Sequence, residues 1–131
     1  MSVAVANSTV PKDDVEVRYE DQEKINEFGK LNNRLLEIRA ELKQSKTDIE
    51  TLDDATTELA MVGKGKVMLL IGENFMEVTE EFAEEYCEKK TKKLQSRIEQ
   101  LENEEQSIVS RQEELKKILY GRFGDSINLE N

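Results

Sequence analysis

The 131-residue sequence predicts a mainly α chain: a long antiparallel two-helix coiled coil joined by one β-hairpin that joins an intersubunit β-barrel. Three observations predict this class. Two stretches repeat apolar residues at heptad spacing. The single proline is Pro11, so the strongest helix breaker is missing from everything after it. Between the two periodic stretches lies a β-prone run bracketed by glycines. The expected organisation is a flexible acidic tail over 1–14, a helix-hairpin-helix domain over 15–121 and a C-terminal tail over 122–131. Within the domain the first helix is expected at about 18–60, the hairpin at about 61–78 and the second helix at about 79–121.

The first helix follows from its seam. With Phe28 at heptad position a, the a and d positions run Phe28, Leu31, Leu35, Ile38, Leu42, Ser45, Ile49, Leu52, Thr56 and Leu59, eight of the ten apolar. Most other positions are charged or amide residues, so only a narrow stripe can be buried, and such a stripe needs one partner helix. The second helix starts near Thr79, whose hydroxyl suits an N-cap, with Glu80 and Glu81 at the positive end of the helix dipole. Its seam reads Cys87, Thr91, Leu94, Ile98, Leu101, Glu105, Ile108, Gln112, Leu115, Leu119 and stops at Gly121 and Gly124. Folding the two back on each other pairs Leu52 with Cys87, Leu42 with Ile98 and Ile38 with Leu101. Glu105 and Gln112 at core positions lower stability but fix register.

The hairpin pairs a strand near Lys66 to Ile71 with one near Asn74 to Val78, through a tight turn at Gly72-Glu73 or Glu73-Asn74. Val67, Leu69 and Ile71 lie on one face, Met68 and Leu70 on the other. A lone two-stranded hairpin that is apolar on both faces needs cover, either from its own helices or from hairpins of other subunits. The second option makes Val67, Met68, Leu69, Leu70, Ile71, Phe75, Met76 and Val78 the expected assembly surface. At the other end of the expected rod the seam register runs out, and Val15, Val17, Tyr19, Leu115, Leu119, Tyr120 and Phe123 collect as an apolar tip. That tip either holds apolar segments of another protein, or is closed by Val15, Val17 and Tyr19 capping the last leucines of the second helix, or frays.

Composition excludes several function classes. Lys and Arg number 19 against 29 Asp and Glu, for a net charge of −10, and no basic stripe interrupts the mixture, so no nucleic-acid partner is expected. With no histidine and one cysteine, Cys87, the chain cannot build zinc fingers, Ser-His-Asp triads or intrachain disulfides. Cys87, on the seam, reads as a small buried apolar residue. Gly63-Lys64-Gly65-Lys66 lacks the spacing and the Ser or Thr of a phosphate loop and reads as a bend. The carboxylate pairs on the helices read as solubilising charge. No enzyme activity, metal or cofactor is therefore expected. The longest apolar run, Val67 to Ile71, cannot span a bilayer, no helix carries a basic amphipathic face, and the start lacks a targeting pattern, so no membrane partner and a cytoplasmic location are expected.

The helix-hairpin-helix layout resembles the β-type subunits of the prefoldin family. The resemblance is carried by Glu58-Leu59 at the end of the first helix, by the turn Ile71-Gly72-Glu73-Asn74-Phe75, and above all by the ending Leu119-Tyr120-Gly121-Arg122-Phe123-Gly124-Asp125-Ser126-Ile127-Asn128-Leu129-Glu130. It covers roughly Val15 to Asn131. The resemblance implies a cytosolic heterohexamer with two α-type and three further β-type subunits as partners. It also implies an ATP-independent holdase that captures unfolded actin and tubulin at coiled-coil tips and delivers them to the cytosolic chaperonin. A different class of function, a coiled-coil structural adaptor for one folded partner, fits the same periodicity.

Overall fold

In a computed structural model, which describes residues 16–62 and 65–129, the order of elements is helix, two strands, helix and a short 3₁₀ turn. Helix α1 spans Tyr19–Val62, strand β1 Lys66–Ile71, strand β2 Asn74–Thr79 and helix α2 Glu80–Phe123, followed by the turn Gly124–Ser126. These elements form two compact units, one from the described parts of Met1–Ala40 and Glu102–Asn131, the other from Glu41–Leu101.

In the first unit, the start of α1 packs on the end of α2. Ile25, Phe28, Leu115, Leu119, Phe123, Ile127 and Leu129 form one buried cluster, with Val17, Leu31 and Tyr120 packed against it. The α1 seam departs from a strict heptad here. The buried positions are Ile25, Phe28, Asn32, Leu35 and Ile38, with two successive three-residue steps from Asn32 to Ile38. Such a stammer overwinds a coiled coil locally. It buries Asn32 to 1% exposure and moves Leu31, the expected seam residue, to a half-buried position at the side of the cluster.

In the second unit, Leu42, Ser45, Ala83 and Cys87 are buried, while Ile49, Leu52, Leu59, Leu94 and Ile98 are half-buried. The junction into α2 is capped from the sequence itself. The Phe82 N–H donates to Thr79 Oγ1 at 3.1 Å, so the last residue of β2 is also the N-cap of α2. The Glu80 N–H donates to the Gly65 carbonyl at 3.2 Å and closes the base of the hairpin.

The β-barrel in the sequence prediction is corrected by the hairpin itself. β1 and β2 pair antiparallel, Lys66 opposite Thr79 through Ile71 opposite Asn74, in a sheet of two strands that is not closed. Closing a barrel requires the first and last strands to pair around a full circuit. Here two six-residue strands joined by the two-residue turn Gly72-Glu73 pair with each other and leave their outer edges open. Gly72 has φ +65°, the left-handed value that this turn requires at its first position. The fold class is thus mainly α with one small open antiparallel sheet.

Ile38 is fully buried whereas its neighbour Leu36 is 40% exposed. Ile38→Ala should cost about 2–5 kcal/mol in urea denaturation. Leu36→Ala should stay within about 0.5 kcal/mol of the parent.

Candidate functional site

The first candidate region is where α1 begins and α2 ends. Asp21 reaches back one turn, and its Oδ2 accepts the Arg18 N–H at 3.0 Å, which serves a donor that the helix start leaves without a partner. The same carboxylate receives the fork of Arg122: Nε to Oδ1 at 3.1 Å and Nη2 to Oδ2 at 2.6 Å. Arg122 Nη2 also donates to the Glu16 carbonyl at 2.8 Å, so one guanidinium ties the lead-in chain, the first turn of α1 and the last turn of α2. Its central carbon lies 5.3 Å from the Phe123 ring centroid. The Asp21 side chain is 6% exposed. The hydrogen bonds from Arg122 hold its carboxyl below the ordinary aspartate range; burial works against this, and the Arg18 N–H adds to it.

A ladder of guanidinium-carboxylate forks flanks the seam. In the first unit Arg111 grips Glu27 at 2.7 and 2.9 Å, and Arg34 grips Glu104 at 2.7 and 2.8 Å. In the second unit Arg97 grips Glu41 at 2.7 and 3.1 Å. Glu27, Arg34 and Glu41 follow one another at seven-residue spacing, as do Arg97, Glu104 and Arg111, with opposite signs in reverse order. A slip of one heptad would set like charges against each other, so the ladder fixes the register more than it adds stability at these part-exposed sites. Arg111 also keeps the Glu27 carboxyl ionised to lower pH than usual. Glu105, expected at a core position, is half-buried and accepts from Arg39 Nε at 3.0 Å.

Beyond α2 the chain turns back. Gly124 has φ +55°, a left-handed conformation that stops the helix. After the turn, Ile127 is extended, and Ile127 and Leu129 are buried while Asn128 is exposed. The Leu129 N–H donates to Tyr120 Oη at 3.1 Å. Burying two aliphatic side chains contributes about 3–6 kcal/mol. Ordering five residues of backbone costs about 5 kcal/mol or more. The return segment is therefore held by a near balance.

The second candidate region is the hairpin. Val67, Leu69, Ile71 and Val78 are half-buried, whereas Met68, Leu70, Phe75 and Met76 are exposed, Phe75 to 67%. Residues directly opposite in an antiparallel pair share a face, which puts Met68, Leu70 and Phe75 together on the outward one. Lys66 and Glu77 of that face pair at 3.6 Å. The inward face meets the helices at a cleft of about 230 Å³, lined by Ala55, Leu59, Val67, Leu69, Ala83 and Cys87 among others.

The residues expected at the tip are thus placed unequally. Leu115, Leu119 and Phe123 are buried in the cluster, Val17 and Tyr120 pack on its rim, and Tyr19 is 76% exposed. Val15 lies outside the described residues. Sequence reasoning did not register Asp21, Arg122 or the fork ladder, although the alternating Glu and Arg at seven-residue spacing carried the signal. Among the described residues, no group of three or more His, Cys, Asp or Glu is arranged to hold a metal ion. No helix among them is long and apolar enough to cross a membrane.

Comparison with known proteins identifies the class to which this helix-hairpin-helix chain belongs. The prefoldin subunit family model matches residues 22–126, and the chain belongs to that family. It is 38% identical to prefoldin subunit 4 of Saccharomyces cerevisiae over 120 residues, covering 91% of this chain and 93% of that one. It is 35% identical to prefoldin subunit 4 of Homo sapiens over 120 residues, covering 90% of each. It is 39% identical to a probable prefoldin subunit 4 of Dictyostelium discoideum over 118 residues, covering 89% of each. The crystal structure of the prefoldin beta subunit from Thermococcus strain KS-1 superposes with a TM-score of 0.71 at 14% identity, over 84% of this chain and 97% of that one, and shares its fold. Family membership gives the chain a co-chaperone role, exercised with other prefoldin subunits, rather than a catalytic one.

The Asp21 clasp has a pH signature. Its folded carboxyl titrates below the ordinary value of 3.8, so its stabilisation is complete above that value and is lost as pH falls through the depressed one. Asp21→Asn should lower the melting temperature at pH 7, and the two proteins should converge as pH approaches 2, as followed by circular dichroism. A constant gap across that range would show that the ionised clasp contributes nothing.

Proposed function

We propose that the chain is a subunit of a cytosolic heterohexamer of two α-type and four β-type subunits, an ATP-independent holdase. It captures unfolded actin and tubulin chains and delivers them to the cytosolic chaperonin. The observation that carries the assembly half of this reading is the outward face of the hairpin, where Met68, Leu70 and Phe75 stand side by side in water. An apolar face of this kind on a two-stranded sheet favours burial against a neighbour. In this reading Val67, Met68, Leu69, Leu70, Ile71, Phe75, Met76 and Val78 pack against sister subunits.

The capture half rests on the helix ends. In this reading Val15, Val17, Tyr19, Leu115, Leu119, Tyr120 and Phe123 are the residues that offer clients reversible apolar contact without chemistry. A single such contact is weak, and several in one complex act together through multivalency. The acidic surface, at a net charge of −10, keeps the complex soluble while it holds apolar chains.

Reconstitution with sister subunits tests both halves. Leu70→Asp with Phe75→Asp should abolish incorporation in analytical ultracentrifugation while leaving the helical circular dichroism unchanged. Deleting residues 1–19 alone, which takes Val15, Val17 and Tyr19 and leaves residues 122–131 in place, should leave incorporation intact and raise aggregation of denatured actin severalfold. Normal complexes from the first variant would refute the assembly surface, and full suppression of aggregation by the second would refute capture at the helix ends.

A further inference from the structure

The buried cluster of the first unit is completed by chain that arrives after α2 has ended. Ile127 is extended, with φ −127° and ψ 144°, and in extended chain alternate side chains point the same way. Ile127 and Leu129 accordingly enter the cluster together, at 4% and 1% exposure, while Asn128 between them faces outward. They pack with Phe28 of α1 and Leu115, Leu119 and Phe123 of α2. The Leu129 N–H donates to a side chain, Tyr120 Oη, at 3.1 Å. The seat takes two apolar side chains two residues apart on extended backbone, and Tyr120 Oη accepts a peptide N–H beside them. Unfolded polypeptides supply that pattern wherever a buried strand has yet to form.

We propose that residues 127–129 are a displaceable plug, an internal stand-in for an extended apolar-x-apolar segment of an unfolded chain, which takes the same seat when the plug leaves. The inference rests on the reading of the helix ends as the client site, and it names the conformation and side-chain pattern that the site accepts. The tether through Gly124–Ser126 keeps the plug at high effective concentration, so the apolar seat is covered when no client is present. A seat open for only a tenth to a third of the time weakens apparent client affinity about three- to tenfold. A client offering several such segments overcomes that loss by binding several subunits at once.

The test compares the full chain with Ile127→Ser plus Leu129→Ser, using reduced, carboxymethylated α-lactalbumin as the unfolded probe. Fluorescence anisotropy should show about three- to tenfold tighter binding by the double variant. A synthetic peptide of residues 122–131 added in trans should reverse the gain. Gly124→Val leaves both apolar side chains in place but strains the left-handed turn, and should give an intermediate gain should the double variant misfold. In hydrogen exchange on the parent, the probe should slow the amides at 19–28 and 112–123 and speed those at 127–129. Equal or weaker binding by both variants, or slowed exchange at 127–129, overturns the plug while the helix ends remain the client site. Binding without any change at 19–28 and 112–123, or no binding by any of the proteins, overturns the client-site reading and the plug with it.

Discussion

A helix that is charged on all but a narrow stripe can be covered by one neighbour and no more, and this constraint governs both units of the chain. Lys, Arg, Asp and Glu make up 37% of the residues and aromatics 5%, so no arrangement of these helices encloses a globular core. In the first unit the stripe of α1 meets that of α2 through Phe28, Leu115 and Leu119. A seam one side chain wide is tolerant of sliding, and register must come from elsewhere. It comes from its flanks, where Glu27, Arg34, Arg111 and Glu104 pair with alternating sign, and from polar residues in the seam such as Asn32 and Gln112.

The same constraint decides how the remaining apolar residues are treated. Those of the hairpin have one face toward the helices and one in water. The two-residue turn at Gly72 sets Met68, Leu70 and Phe75 on one face, which stays exposed among the described residues. Those at the helix ends are gathered by Arg122, which binds Asp21 and the Glu16 carbonyl, and roofed by Ile127 and Leu129. One apolar surface is left standing for a partner, and the other is covered by the chain's own segment. In the proposed function, that difference in exposure matches a surface for lasting assembly and a seat for transient occupants.

Much of this was legible in the residues. The heptads of Phe28 to Leu59 and Cys87 to Leu119 give the helices, Thr79 ahead of Glu80 and Glu81 gives the cap, and Gly72 between two β-prone runs gives the turn. The stammer was not legible, because by hydropathy alone Leu31 is a better seam residue than Asn32; the neighbouring helix decides between them. The barrel was an inference from what an uncovered hairpin needs, and β1 and β2 form an open pair. The burial of Ile127 and Leu129 had no periodic signal, since two apolar residues after a glycine acquire a place only from the cluster they complete. The clasp between Arg122 and Asp21 had no signal in the residues, because nothing local reveals that a guanidinium will bind across a hundred residues of sequence.

If the two apolar surfaces have different occupants, a crosslinker on each recovers a different partner. Photo-crosslinking from the reconstituted complex tests it most directly, with a benzophenone amino acid placed at Phe75 or at Tyr19 and labelled denatured actin as client. The account predicts that position 75 couples to sister subunits whether or not client is present, and that position 19 couples to actin. Actin captured from position 75, or position 19 coupling only to sister subunits, would contradict it.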